Sequence, residues 1–373
     1  MNEDKAARYH RLRRRASLLS TSAGALVLLL LLVTGASAAL RNAAAVLASG
    51  SFTVSIAIYV VLIALIGEVV QLPLAFYQAV TLERRYGLST QSNRGWWIDH
   101  VKAGAVALIF AVGGAELVWH LLRRAPEVWW VVAAVCFSVM IVGMAQLAPV
   151  LILPLFYTCK PLDRPALRDR LVALADRAGA RVLGVFEWRL SDRTRKANAA
   201  LTGLGRTRRI LVSDTLLADH SDDEIEVILA HEIAHHVHRD IWKDIALEVA
   251  LVALGFNLAD RALSAAVGWF GVQGKADVAA LPVLLLAAGA VSLALMPLAN
   301  ALSRAHERHA DHYALEMTRN APAFVTAMKR LGATNLAEEH PSRLVEMLFY
   351  THPPVDARIA AAHAWAVENM KTA

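Results

Sequence analysis

The sequence predicts a mainly α fold, a polytopic α-helical membrane protein of about six transmembrane helices that also carries a small α+β domain. Hydrophobic residues make up 57% of the 373-residue chain, and the mean hydropathy is +0.43, well above soluble globular composition. Long uncharged stretches recur along it, as membrane spans require. Between the fourth and fifth of them lies a polar insert, 161–240, with both helical and strand-like patterns.

Arg8, Arg11, Arg13, Arg14 and Arg15 precede Leu18–Leu40, which is uncharged over 23 residues. At 1.5 Å per residue that is enough to cross a hydrocarbon core of about 30 Å. The basic flank and the run Ala36-Ser37-Ala38 also resemble a signal peptide with its cleavage site. The apolar stretch is longer than a usual signal core, which favours an uncleaved helix. Apolar segments at 52–80, 101–122, 128–157, 241–263 and 278–302 complete the expected six. The fifth is the weakest, because it contains Glu248, Asn257, Asp260 and Arg261. Glu68, Glu116 and Glu248 are costly in lipid and belong at the protein interior, in a watery cavity or near the interface.

The net charge is +6. Its basic residues collect at the ends of apolar segments rather than on an aromatic-studded soluble surface, so the pattern indicates a positive-inside membrane face and no nucleic acid partner. With the N-terminus inside, four crossings return the insert and its Arg193, Arg195, Lys196, Arg206, Arg208 and Arg209 to that side. The 83–100 loop, with Arg84, Arg85 and Arg94, joins them, whereas Arg123 and Arg124 fall outside, against the rule. The two cysteines, Cys136 and Cys159, form neither a disulfide framework nor a zinc-ligand spacing.

Within the insert, 165–178 has helical spacing, and 181–190 and 209–217 contain β-branched runs that suggest strands. Ser221 followed by Glu224 forms a capping-box pattern that opens a helix through His231-Glu232-Ile233-Ala234-His235. Histidines at i and i+4 share a helix face and can reach one zinc at about 2.0–2.1 Å, with Glu232 placed to take a proton from water. This five-residue pattern also arises by chance. A third ligand must come from elsewhere, and Ile241 stands where a metzincin would have histidine. In the cluster 303–312, Glu307 is the expected third ligand. Asp311, one turn on, is expected to accept the free N–H of a liganding histidine. His306, His309 and His312, and His238 one turn beyond the first pair, remain alternative ligands, while His236 projects toward solvent.

Further pieces stand in a recognisable order: Leu82-Glu83-Arg84-Arg85-Tyr86-Gly87-Leu88, then 148–156, Asn198-Ala199-Ala200-Leu201-Thr202-Gly203, 210–217, the histidine pair, Glu307 with Asp311, and His352-Pro353-Pro354. Over most of its length the chain resembles the CAAX prenyl protease type I family of membrane-embedded zinc metalloproteases, with HtpX-type proteases as more distant relatives. The resemblance implies one zinc per chain bound by His231, His235 and Glu307, Glu232 as general base and acid, and Asp311 in support. It implies that Asn198 and Ala199 begin a substrate-binding edge strand, and that His352 and Arg358 donate hydrogen bonds near the scissile carbonyl. The domains expected are an N-terminal membrane domain, 1–157, and a gluzincin-like zinc peptidase domain, 158–373, that includes two transmembrane helices at about 241–263 and 278–302. Family members from eukaryotes have seven helices where six are counted here, and Ala200-Leu201 replaces a usual aromatic pair.

The expected function is hydrolysis of peptide bonds at or near the membrane, on a peptide or protein substrate that is lipidated or membrane-anchored. The Ala-, Leu- and Arg-rich composition suggests a bacterial inner membrane, with the N-terminus, the protease site and the C-terminus cytoplasmic. In that setting, HtpX-like quality control of membrane proteins is the alternative. A zinc-binding or zinc-transporting membrane protein is the non-enzymatic alternative, against which Glu232 argues, since a structural zinc site needs no adjacent base.

Overall fold

The computed structural model describes residues 4–203 and 208–370. Arg206, part of the basic cluster, lies outside the described residues.

The membrane part begins with α1 (Lys5–Val33), α2 (Ala36–Leu47), α3 (Phe52–Arg85), α4 (Asn93–Arg124) and α5 (Trp129–Phe156). At 12 residues, α2 is too short to span. The ends of these helices follow from their caps: the Ser51 and Ser92 side chains accept from the N–H groups of Val54 and Gly95. Pro73 interrupts the ladder of α3, which passes through a π-turn at Tyr77–Leu82, and Pro149 lies in a second π-turn in α5.

After the membrane part comes a mixed insert. Its elements are β1 (Cys159–Pro161), α6 (Pro165–Arg177), β2 (Val185–Trp188), β3 (Ala199–Thr202), β4 (Arg209–Ser213), α7 (Asp214–Asp219) and α8 (Asp222–Val237). The sheet order is β1-β2-β4-β3, with β2 and β4 parallel and the outer pairs antiparallel. This leaves β3 at an edge, packed near α8. The chain continues through α9 (Asp240–Ala266), α10 (Val278–Thr318), α11 (Ala321–Thr334), α12 (Arg343–Phe349) and α13 (Val355–Met370).

Among the described residues, five helices are long and apolar enough to cross a membrane: α1, α3, α4, α5 and α10. The expected sixth, α9, falls outside that set because of its charges, yet it packs along α5 and α10. Its Asp260 accepts from Trp129 Nε1 at 2.6 Å and pairs with Lys275 at 2.9 Å, which satisfies a carboxylate that lipid would penalise. Of the other acidic residues, Glu68 meets His100 at 2.6 Å and Glu116 meets His120 at 3.3 Å. Arg123, the exception to the charge rule, stacks over the Phe52 ring.

Two large cores and a smaller cluster of Tyr9, Leu82, Tyr86 and Leu88 hold the described residues together. Tyr59, Trp119, Trp129 and Leu263 anchor the membrane part, while Leu171, Ile210, Leu229, Ile233 and Phe324 join α6, the sheet, α8 and α11. Glu248 and apolar side chains of α3, α4, α5, α9 and α10 line a cavity of 780 Å³. On α10 its wall includes Met296 and Ala299, and the same helix reaches Glu307 about 12–17 Å further along its axis.

Candidate metal centre

The centre forms where α8, α9, α10 and the segment before α13 meet. α8 is anchored by the expected capping box: Ser221 Oγ accepts from Glu224 N–H, and the Glu224 carboxylate accepts from Ser221 N–H at 2.8 Å. Ile225, Ile228, Leu229 and Ile233 bury the helix, which holds His231 and His235 in register on the face that meets α10. Glu307 of α10 comes to that face, and ligand atoms of His231, His235 and Glu307 lie within 4.8 Å of one another.

Each imidazole is oriented from behind. His231 Nδ1 lies 2.9 Å from Asp311 Oδ1, and His235 Nδ1 donates to Asp240 Oδ2 at 3.1 Å. With both Nδ1 atoms carrying the proton, both Nε2 lone pairs face Glu307, at 3.2 Å from Oε2 and 3.5 Å from Oε1. Glu307 Oε2 is buried and makes no hydrogen bond. Its 3.2 Å approach to His231 is therefore a close ion-pair distance without hydrogen-bond geometry.

Two lone pairs and a carboxylate directed at one another repel unless a proton or a cation sits among them. Where a proton serves, His231 is pushed up to about 9: burial, the largest influence, works downward, but Asp311 and Glu307 outweigh it. A divalent cation answers the same demand better, because it meets all three donors at once. Two imidazoles and a carboxylate match the ligand set of a catalytic zinc site with an open position, so the residues present fit a metal.

Around this triad sit the remaining expected residues. Burial pushes the Glu232 carboxyl upward against the pull of His231 and His235, with Glu307 and His352 also acting on it. His352 Nε2 lies 3.2 Å from Glu307 Oε1, on a side chain that is 59% exposed and so open to a substrate. Arg358 Nε donates to Asp311 Oδ2 at 2.8 Å and its Nη2 to Oδ1, while Nη2 stays 3.8 Å from Glu307 Oε2. The Arg358 guanidinium thus holds Asp311 with two hydrogen bonds and also reaches His231 Nδ1 at 3.4 Å through Nη2. Ahead of β3, Asn198 exchanges two hydrogen bonds with Ser213, its N–H donating to Oγ at 3.0 Å and its carbonyl accepting at 2.9 Å. Ala199 pairs with Val212.

Among the described residues, the other histidines stay outside the triad. His238 stacks edge-on against His309 and Tyr313, His312 faces Glu316, and His306 lies between Asp240 and Asp244. His236 is half-buried beside Arg208 rather than fully solvated. Sequence reasoning missed Asp240. The available signal was an acidic residue five positions after His235, just before an apolar segment, where it read only as the end of the insert.

Residues 161–366, which build this centre, match the family model described as Peptidase family M48. The chain belongs to peptidase family M48. Residues 2–158 of this M48 peptidase match the model described as CAAX prenyl protease N-terminal, five membrane helices. Among the described residues of that stretch there are four helices of spanning length and the short α2. The M48 peptidase is 33% identical over 318 residues to the uncharacterized metalloprotease YhfN of Bacillus subtilis, covering 83% of this chain and 73% of that protein. It is 34% identical over 178 residues to CAAX prenyl protease 1 of Saccharomyces cerevisiae, covering 47% of this chain and 39% of the yeast protein. Its fold is that of S. mikatae Ste24p, with a TM-score of 0.86 over 96% of this chain and 88% of the other at 24% identity. Membrane helices and an M48 peptidase domain in one chain make it an integral-membrane metalloendopeptidase.

Proposed function

We propose that this M48 peptidase holds one zinc ion through His231, His235 and Glu307 and hydrolyses peptide bonds at the membrane surface. The observation that carries the reading is the convergence of three ligand atoms within 4.8 Å beside Glu232. Zinc supplies Lewis acidity toward the scissile carbonyl and acidifies water to a pKa of about 7. Glu232 takes the proton of the attacking water and returns it to the leaving amine, and its upward-shifted carboxyl suits both transfers. His352 donates from Nε2 to the developing oxyanion. Arg358 serves this chemistry through Asp311, which fixes His231. Asn198 and Ala199 lead into β3, whose edge position allows an extended peptide to add as a further strand.

We infer that the substrate is lipidated or membrane-anchored. The 780 Å³ apolar cavity supports an apolar substrate segment, and the yeast relative's name, a CAAX prenyl protease, supports a lipidated one. His10 and Arg14 near the start of α1 contact Leu336, Glu338 and Tyr350 of the peptidase part, so both share one face of the molecule. The arginines around that start support a cytoplasmic position for this face, at a bacterial inner membrane.

Zinc content and peptide hydrolysis of the detergent-purified chain test the reading, beside Glu232→Gln. We expect zinc in both proteins, loss of activity with a chelator and recovery on adding zinc. The variant should turn over about 10²–10⁴-fold more slowly. Full activity without zinc, or a variant as fast as wild type, overturns the assignment. A farnesylated peptide and its unlipidated twin decide the substrate, and equal rates would leave the quality-control reading.

A further inference from the structure

We propose that Asp240 is a positioning residue of the metal centre, doing for His235 what Asp311 does for His231. This rests on the zinc site proposed above. Asp240 is the first residue of α9 and is 2% exposed. Arg239 before it adopts φ 57, a left-handed conformation that a side chain rarely takes, and this kink between α8 and α9 folds the Asp240 carboxylate back against His235.

Both oxygens of Asp240 are engaged. Oδ2 accepts from His235 Nδ1 at 3.1 Å, and Oδ1 meets Lys243 Nζ at 2.8 Å with His306 Nε2 at 3.7 Å. The two histidines therefore carry matching supports. Each Nδ1 meets a buried carboxylate, and each carboxylate meets a cation: Arg358 for Asp311, Lys243 for Asp240.

The simpler explanation is a helix-start aspartate that complements the α9 dipole and pairs with Lys243. It accounts for neither the burial nor the oxygen spent on His235. The support also matters more at this histidine: its side chain is 28% exposed, against 8% for His231, so packing alone holds the ring less firmly. A carboxylate on Nδ1 fixes the tautomer that leaves Nε2 free to bind metal and raises the basicity of that nitrogen.

Asp240→Ser tests this in the full chain, since serine starts helices well but does not reach His235. The readouts are the zinc dissociation constant, measured by competition with a chromophoric chelator, and the visible spectrum of the cobalt-substituted protein. We expect zinc to bind about 10–100-fold more weakly and the cobalt bands to shift. Lys243→Met, which removes a half-exposed cation but leaves the carboxylate on His235, should weaken zinc binding much less than Asp240→Ser. A folded serine variant with wild-type zinc affinity and an unchanged cobalt spectrum overturns the proposal and leaves a helix-start role. If that variant does not fold, the isosteric Asp240→Asn, which loses the charge, decides by the same criterion. A wild-type protein that binds neither metal sinks the zinc site itself, and so separates the two failures.

Discussion

Arg358→Ala separates the role that the family resemblance implies for this arginine, donor near the scissile carbonyl, from the one its contacts support, holder of Asp311. The side chain of Arg358 is 12% exposed and that of Asp311 6%, so the pair is buried. Breaking a buried pair by removing one partner costs about 3–5 kcal/mol. Asp311 keeps a second partner in His231 at 2.9 Å, which points to the lower end of that range. The loss should fall on the orientation of His231, and zinc should bind about 10–100-fold more weakly. The assay is turnover of a model peptide across a zinc titration. We expect a large deficit at limiting zinc that narrows at saturating zinc, together with a lower thermal midpoint. If instead zinc affinity and stability match wild type while kcat stays about 10²–10³-fold down at saturating zinc, Arg358 acts on the transition state and the reasoning fails.

Two more perturbations reach beyond the metal. The segment that carries His352 is pinned from two sides: Arg14 of α1 bonds Glu338 at 2.5 Å and Tyr350 OH at 3.1 Å, while Arg304 of α10 donates to the Tyr350 carbonyl at 2.6 Å. Arg14→Ala should therefore lower kcat several-fold at unchanged zinc content, and a change confined to zinc content would refute the link. Asp214 accepts from Ser191 Oγ and from the N–H groups of Leu190, Ser191 and Thr215. Burial raises its pKa, but these bonds outweigh burial and hold it below the ordinary value. Its contribution to stability is then present above the unfolded value of about 3.9 and lost as pH falls through the folded one. Unfolding midpoints measured against pH should show a shallower acid limb for Asp214→Asn, and identical limbs would refute the assignment.

Much of this molecule is legible along the chain because the relevant rules are local. Helix rise and hydrocarbon thickness predict a span from Leu18 without reference to any partner, although the helix ends at Val33 rather than Leu40, and left-handed Gly35 starts α2. Ser221 and Glu224 announce the start of α8 three residues apart in one turn, and the i, i+4 spacing puts His231 and His235 on one face wherever that helix packs. α9 was less legible, because Asp260 reads as a defect in a span until Trp129 and Lys275 are seen to satisfy it.

By itself, then, the sequence determined which segments are apolar, which helix carries the paired histidines, and which acidic residues were available as ligands. Tertiary structure alone decided which groups meet. Asp311 and Asp240 are similar carboxylates in sequence, and only packing brings α10 behind His231 and the α9 start behind His235. It also turned Arg358 onto Asp311 and set the cavity along α10 above Glu307. The reason is geometric: backbone periodicity governs neighbours within a few residues, whereas hydrogen bonds between distant side chains require the whole packed arrangement to place them within about 3 Å.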